Sequence, residues 1–179
     1  MSKGQVVFLG GVHGVGKSTL AALCKESGVE HLRASDLIKQ ASSEARFDER
    51  KRVKDVDGNQ GILMRSLNAR ISSGGKFLLD GHFTLFNAAG EIEKIPLATF
   101  QAILLPLGVA VVVDAPEAII ARLQTRDKVG HDLLALKQMQ EQEILHAETI
   151  AQALALELMT FHPGDVDRFR KWLQESLSK

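Results

Sequence analysis

A short segment near the start of the chain combines glycines, a lysine and a hydroxyl group at a spacing that suits phosphate. It reads Gly11-Val12-His13-Gly14-Val15-Gly16-Lys17-Ser18 and fits the pattern G-x-x-x-x-G-K-[ST]. The glycines permit backbone angles and close approaches that a Cβ would block, so successive N–H groups can point at phosphate oxygens. The Lys17 ammonium suits β- and γ-phosphate oxygens, and the Ser18 hydroxyl can bind Mg²⁺. We expect this phosphate loop (residues 11–18), with Thr19, to bind a purine nucleoside triphosphate, ATP with Mg²⁺.

Acidic and basic residues follow two later predicted strands. Asp80 ends one of them, at the sheet edge where open α/β folds bind ligands, and a carboxylate there can hold Mg²⁺ through water. Asp114 ends the next strand, but helix capping is its simpler role. Arg122 and Arg126 share one helix face, from which guanidinium groups can stabilise a phosphoryl group in transfer. Solvated arginines paired with Glu117 or Asp127 are the alternative.

The elements that must position these residues alternate between strand and helix. Such alternation predicts an α/β fold in three layers, with a roughly five-stranded parallel sheet covered on both faces. Residues 83–95 are the exception, because two short extended pieces flank Asn87-Ala88-Ala89-Gly90 and predict a hairpin. The predicted strands are 5–9, 30–33, 76–79, 109–113 and 157–161; the predicted helices are 17–26, one from Asp36 with Ser35 as its N-cap, 59–73, one from Pro116, a long region around 133–154, and 165–177.

Length and composition narrow the class of protein. The chain has 179 residues, enough for one domain. Lys+Arg and Asp+Glu both number 22, so the net charge is zero and a nucleic-acid partner is not expected. The single cysteine, Cys24, predicts a buried thiol in a reducing compartment. No apolar run suits a membrane span, so we expect a cytoplasmic protein. Ras-like GTPases and ABC-type ATPases lack support because their motifs are missing, and motors and AAA+ machines normally need more chain.

Four segments together resemble the nucleoside and nucleotide kinase group of P-loop proteins, archaeal-type adenylate kinases most closely. They are GGVHGVGKST, then Ala34-Ser35-Asp36-Leu37-Ile38, then Leu78-Leu79-Asp80-Gly81-His82, and finally residues 111–127. The resemblance implies a single domain over residues 1–179 with a central phosphate-loop strand. It also implies an acceptor-binding insert at about 36–74 and a lid at about 122–132.

The resemblance also implies roles for individual residues. It assigns Arg126, and less directly Arg122, to the transferring phosphoryl group, although this lid has fewer arginines than the family's. The family's Arg-Asp-x-x-Arg-like acceptor stretch matches residues 45–52 only with a shift, so the choice among arginines stays open. His82 suits the acceptor pocket or a structural role equally. The His13 side chain is expected to face solvent or the acceptor site, and a non-catalytic position is favoured over catalysis. The candidate acceptor-binding residues are Asp36, Arg46, Arg50, Arg52 and His82.

These expectations favour a kinase that transfers the γ-phosphate of ATP to a nucleoside monophosphate, with AMP preferred on the resemblance alone. Two positive clusters on separate elements, one at the phosphate loop and one at residues 46–52, suit a donor and an acceptor that both carry phosphate. A kinase for another acceptor (a nucleoside, sugar acid, antibiotic or polynucleotide end) stays open. So does an ATP-binding switch or slow ATPase. The oligomeric state and the pathway also stay open.

Overall fold

A computed structural model describes residues 4–41, 56–101, 106–127 and 132–178. Seven strands and seven α-helices lie along these residues. The strands are β1 Gln5–Gly10, β2 Glu30–Arg33, β3 Lys76–Asp80, β4 Thr84–Phe86, β5 Ile92–Lys94, β6 Gly108–Val112 and β7 Leu158–Phe161. The helices are α1 Lys17–Ala21, which continues as a 3₁₀ helix over Ala22–Glu26, then α2 Ala34–Ala41, α3 Val56–Ile71, α4 Leu97–Thr99, α5 Pro116–Asp127, α6 Leu133–Ala153 and α7 Val166–Ser176.

Five of the strands form one parallel sheet in the order β2-β3-β1-β6-β7. In this register Leu9 lies opposite Asp80, and Gly10 lies opposite Val111. The segments that leave β1, β3 and β6 therefore emerge side by side at one edge. This edge carries the phosphate loop, Asp80 and Asp114, as expected for ligand binding at the carboxyl ends of parallel strands.

Helices cover both faces of the sheet. Val7 and Leu9 of β1 point into one apolar core, with residues of α1, α5 and α7, while Val6 and Phe8 point into the other, with residues of α3 and α6. This alternation follows from the two-residue period of a strand, and it explains why the central strands are apolar throughout. The α/β fold with a five-stranded parallel sheet and flanking helices is confirmed.

Most predicted elements are found within three residues of their expected ends, and the hairpin is confirmed as β4 and β5. Two local predictions were wrong. Ser35 lies inside α2 and is not its N-cap, because α2 begins at Ala34 directly after β2. The helix expected over 17–26 changes after Ala21 into the tighter 3₁₀ form.

Several further expectations can be compared with the described residues. Cys24 is buried at 1% exposure, and burial raises the pKa of its thiol to about 11, as expected of a structural cysteine. Within the described ranges, no helix is long and apolar enough to cross a membrane.

The α2 and α3 parts of the 36–74 insert pack against each other. Residues 42–55 of that insert, and 128–131 of the expected lid, lie outside the described residues.

Candidate active site

The phosphate loop follows β1 and turns directly into α1. Gly11 has a φ of 141°, and a Cβ there would lie 2.8 Å from the carbonyl oxygen of Val112 on β6. Gly16 precedes the first residue of α1 and has a φ of 107°. L-residues with side chains rarely adopt such angles, so glycine is needed at both positions. The glycines therefore let the backbone follow the tight path from β1 into α1.

Lys17 lies back across this loop. Its ammonium group donates to the carbonyl oxygens of Gly11 and, at 3.2 Å, Val12, and lies 4.0 Å from Oδ1 of Asp80. Burial lowers the pKa of Lys17, while the carboxylates of Asp80 and Glu143 act in the opposite direction. Phosphate oxygens can replace the two carbonyl oxygens, because both are acceptors for the same ammonium protons.

Asp80 brings β2 and β3 into the same cluster. Its Oδ1 faces Lys17, and its Oδ2 accepts a hydrogen bond from Nε2 of His31 at 3.4 Å. Sequence analysis missed His31. The available signal was its place on β2, because β2 pairs with β3 and sets His31 near the end of the strand that carries Asp80.

A carboxylate and a hydroxyl are suitable donors for Mg²⁺. Asp80 follows the strand beside the phosphate loop, and Ser18 occupies the first turn of α1 with an exposed side chain. The described residues contain no group of three or more His, Cys, Asp or Glu side chains that could hold a metal. The donor set fits Mg²⁺ bound mainly through phosphate and water oxygens.

Two histidines, His82 and His13, lie near each other at the phosphate loop. Burial, Lys17 and His13 together lower the pKa of His82 well below its ordinary value, so the imidazole is neutral at pH 7. Nδ1 of His82 is buried and has no hydrogen-bond partner among the described residues. His13 is fixed from α5, because an Arg126 N–H donates to its Nε2. His13 is thus held by a neighbouring side chain, which the solvent-facing interpretation did not anticipate.

Arg122 fastens α5 to the phosphate loop. Its guanidinium group donates to the carbonyl oxygens of Gly14 at 3.0 Å and Val15 at 3.3 Å, and to Oδ2 of Asp114 at 2.7 Å. Burial raises the pKa of Asp114, but Arg122 and the Ala115 N–H outweigh this effect and lower it overall. Arg122 is thus a partly exposed arginine that pairs with Asp114 and also holds the backbone of the phosphate loop. Its part in phosphoryl transfer stays a prediction.

A buried carboxylate on α6, Glu143, also reaches this site. It accepts hydrogen bonds from Gly11, Phe83 and Thr84. Sequence analysis missed it inside the long predicted helix. The available signal was its spacing from Met139, Ala147 and Ile150, which places one acidic residue among apolar residues on the buried face.

The expected acceptor residues are only partly described. Asp36 lies in the first turn of α2 and is half-buried. Helix α2 follows Arg33, which pairs in register with Asp80. It therefore begins at the same sheet edge as the phosphate loop. Arg46, Arg50 and Arg52 lie outside the described residues.

Comparisons with known proteins agree with this architecture. No curated protein matches the sequence. The crystal structure of a gluconokinase from Sinorhizobium meliloti 1021 is similar, with a TM-score of 0.57 and 12% identity over 98% of this chain and 92% of that chain. At this identity the likeness shows the fold alone, a P-loop kinase fold. Closeness to archaeal-type adenylate kinases stays a prediction.

A protein-family model described as an AAA domain matches residues 10–140. The match begins at the end of β1 and extends into α6, so it includes the phosphate loop, Asp80, Arg122 and Arg126. The expectation that AAA+ machines need a longer chain therefore does not exclude this family. On this match, the chain belongs to the AAA domain family.

Proposed function

We propose that this protein is an ATP-dependent phosphotransferase that acts on a small molecule. The observation that carries the proposal is the meeting of Lys17 and Asp80 beside the phosphate loop, with a 4.0 Å separation between ammonium and carboxylate. The neutral, half-buried His82 interacts with the same ammonium. A cation, a carboxylate and a glycine-rich phosphate loop are the parts that phosphoryl transfer uses.

The proposed roles follow from the chemistry of each group. Residues 11–19 hold the triphosphate, and Lys17 stabilises the negative charge on its terminal oxygens. Ser18 and Asp80 would hold Mg²⁺, which neutralises phosphate charge when bound. Arg126 acts from the lid side on the moving phosphoryl group, at a position already set by its contact with His13.

For the acceptor, we propose a nucleoside monophosphate, with AMP first. The support is the resemblance of residues 34–38 and 78–82 to the adenylate kinase pattern, together with the basic residues of segment 46–52. An acceptor that carries a phosphate needs a second cationic site to hold it in line for attack. Arg46, Arg50 and Arg52 are the proposed source of that site.

A sugar acid is the second candidate, favoured by the polar groups described beside Lys17. The carboxylate of Asp80, its partner His31 and the unpartnered Nδ1 of His82 suit hydroxyl groups. The structural similarity to a protein described as a gluconokinase also supports a sugar acid as the acceptor.

The test is ADP release from ATP and Mg²⁺ in the presence of each acceptor. The panel contains AMP, GMP, CMP, UMP and dTMP beside nucleosides, gluconate and other sugar acids. Stimulation by a monophosphate supports a nucleoside monophosphate as the acceptor. Stimulation by gluconate alone supports a sugar acid instead. Turnover that no acceptor raises above the rate in water contradicts the kinase and favours the ATP-binding switch or slow ATPase.

A further inference from the structure

Glu143 is a fully buried carboxylate whose two oxygens are both saturated by hydrogen-bond donors. Oε1 accepts from the N–H groups of Gly11 and Phe83, each at 2.9 Å. Oε2 accepts from the N–H and the hydroxyl of Thr84, each at 2.6 Å. The side chain has 0% exposure. One residue of α6 thus binds two separate loops.

Core packing alone does not explain a carboxylate at this position. Burial of an ionisable group is unfavourable, and a well-packed apolar side chain is often at least as stable there. Apart from His146, the other buried residues of α6 are apolar, such as Met139 and Ala147. An apolar side chain cannot accept the three backbone N–H groups, however. The distinctive property of the carboxylate is that it fixes these two backbone segments relative to each other.

Both segments belong to the proposed active site. Gly11 is the first residue of the phosphate loop, and its carbonyl oxygen also contacts Lys17. Phe83 and Thr84 immediately follow His82, and Asp80 ends β3 just before them. The segments already touch, because a Cβ on Gly10 would lie 2.2 Å from the ring of Phe83. The carboxylate therefore joins the loop that holds phosphate to the segment that carries Asp80 and His82.

We infer that Glu143 is a positioning residue for phosphoryl transfer. It keeps Gly11 and residues 80–84 in one arrangement, so that Lys17, Asp80 and His82 meet the nucleotide and acceptor together. It does not touch the reacting atoms, because its oxygens are occupied by backbone and hydroxyl donors. This inference rests on the proposed phosphotransferase function only for its effect on turnover, since the phosphate loop binds nucleotide whether or not an acceptor is known.

The test compares Glu143→Gln with His146→Leu in the full chain. Gln keeps the shape but presents an amide NH₂ to groups that are themselves donors, so at least one loses its acceptor. His146 lies on the same helix, is also buried, and donates to the carbonyl oxygen of Ile95 at 2.7 Å, at the end of the hairpin where the Ile95 N–H donates to Phe83. Its replacement perturbs the contact between α6 and the hairpin without reaching Gly11. It is therefore the matched control.

We expect Glu143→Gln to raise the Kd for MgATP about tenfold and to lower kcat by at least as much, as misplaced active-site groups do. His146→Leu should change both values less than about twofold, even if it lowers Tm as much as Glu143→Gln does. Calorimetric titration with MgATP gives Kd without any acceptor. Turnover is measured as ADP release with the acceptor that stimulates it, or without one if none is found. A failed kinase proposal is thus distinguished from a failed positioning role.

Equal MgATP affinity in the folded Glu143→Gln and His146→Leu variants would overturn the inference. If Glu143→Gln does not fold, Thr84→Val and Thr84→Ser decide. Val removes one donor to Glu143, whereas Ser keeps it. The inference requires weaker MgATP binding in the Val variant and its recovery in the Ser variant, and equal binding by the two contradicts it.

Discussion

At the scale of single residues, the ammonium group of Lys17 is the centre of the site. It contacts two carbonyl oxygens of the phosphate loop and faces Asp80. The buried position raises the strength of its electrostatic interactions, because a low dielectric screens charge less than water does. We therefore expect one substitution here to remove more nucleotide affinity than any change on the surface.

Lys17→Ala should weaken MgATP binding by at least about tenfold, the effect of one lost charge-assisted hydrogen bond. The melting temperature should change little, because the side chain packs at the loop and outside the two apolar cores. Calorimetric titration measures the affinity. Lys25→Ala, an exposed lysine of the adjacent 3₁₀ helix, is the control and should bind as the wild type does. Equal affinity in both variants would contradict the assignment of the phosphate loop.

Two arginines on α5 separate a catalytic role from a supporting one. Arg126→Lys should lower kcat much more than it changes KM, because lysine keeps the charge but loses the planar fork that fits a phosphoryl group in transfer. Arg122→Lys should chiefly raise KM for ATP, since Arg122 holds the carbonyl oxygens of Gly14 and Val15. Steady-state kinetics of both variants decide. Unchanged kcat in Arg126→Lys would leave Arg126 without a part in transfer.

Residue-level prediction succeeded where chemistry follows local spacing and failed where it depends on distant contacts. The phosphate loop can be recognised in the sequence because its glycines and Lys17 lie within eight consecutive positions. Glu143 is separated from Gly11 by 132 positions, and His31 from Asp80 by 49. Such pairs become neighbours only through the strand order and the packing of α6, which spacing along the chain does not encode.

At the scale of elements, the close contact between the end of β1 and the segment leaving β3 sets the geometry of the site. Gly81 donates its N–H to the carbonyl oxygen of Leu9 at 3.0 Å, and the ring of Phe83 covers Gly10. Phe83 also packs against Phe8 with the ring centroids 4.9 Å apart. These contacts leave no space for a side chain at Gly10.

Gly10→Ala should therefore destabilise the fold by about 1–3 kcal/mol, the usual cost of an overpacked core. Urea unfolding measures this change. The control is Gly61→Ala in α3, where the nearest atom to a new Cβ is 3.7 Å away at the end of the Arg65 side chain. Alanine favours a helix over glycine by about 1 kcal/mol, so this variant should be equally stable or more stable. A Gly10→Ala protein as stable as wild type would show that β1 and Phe83 are less tightly packed than described.

Element prediction was most successful for buried strands and least successful at helix starts. The central strands β1 and β6 are continuous apolar runs, which a parallel sheet covered on both faces requires. The start of α2 was misplaced because β2 passes into the helix without a loop, so Ser35 is already inside it. The prediction used only the neighbouring residues Ser35 and Asp36. The start of the helix instead follows from the pairing of β2 with β3, which ends at Arg33.

At the scale of the whole molecule, the sheet order places every described candidate group at one edge. β1 lies between β3 and β6, so the phosphate loop is flanked by the segments that carry Asp80 and Asp114. α6 crosses behind them and supplies Glu143, and α5 supplies Arg122 and Arg126. The fold class and this edge could be predicted from alternating strands and helices. The identity of the acceptor could not, because binding pockets depend on residues from distant parts of the chain.

In the proposed reaction the γ-phosphate of ATP moves to a small molecule and not to water. Phosphorus NMR of a reaction containing ATP, Mg²⁺ and the stimulating acceptor tests this directly, because it distinguishes a phosphorylated product from inorganic phosphate. We predict a new phosphoryl resonance that grows in step with ADP and is absent with Lys17→Ala. Formation of ADP together with inorganic phosphate alone, whichever acceptor is present, would contradict transfer to a small molecule.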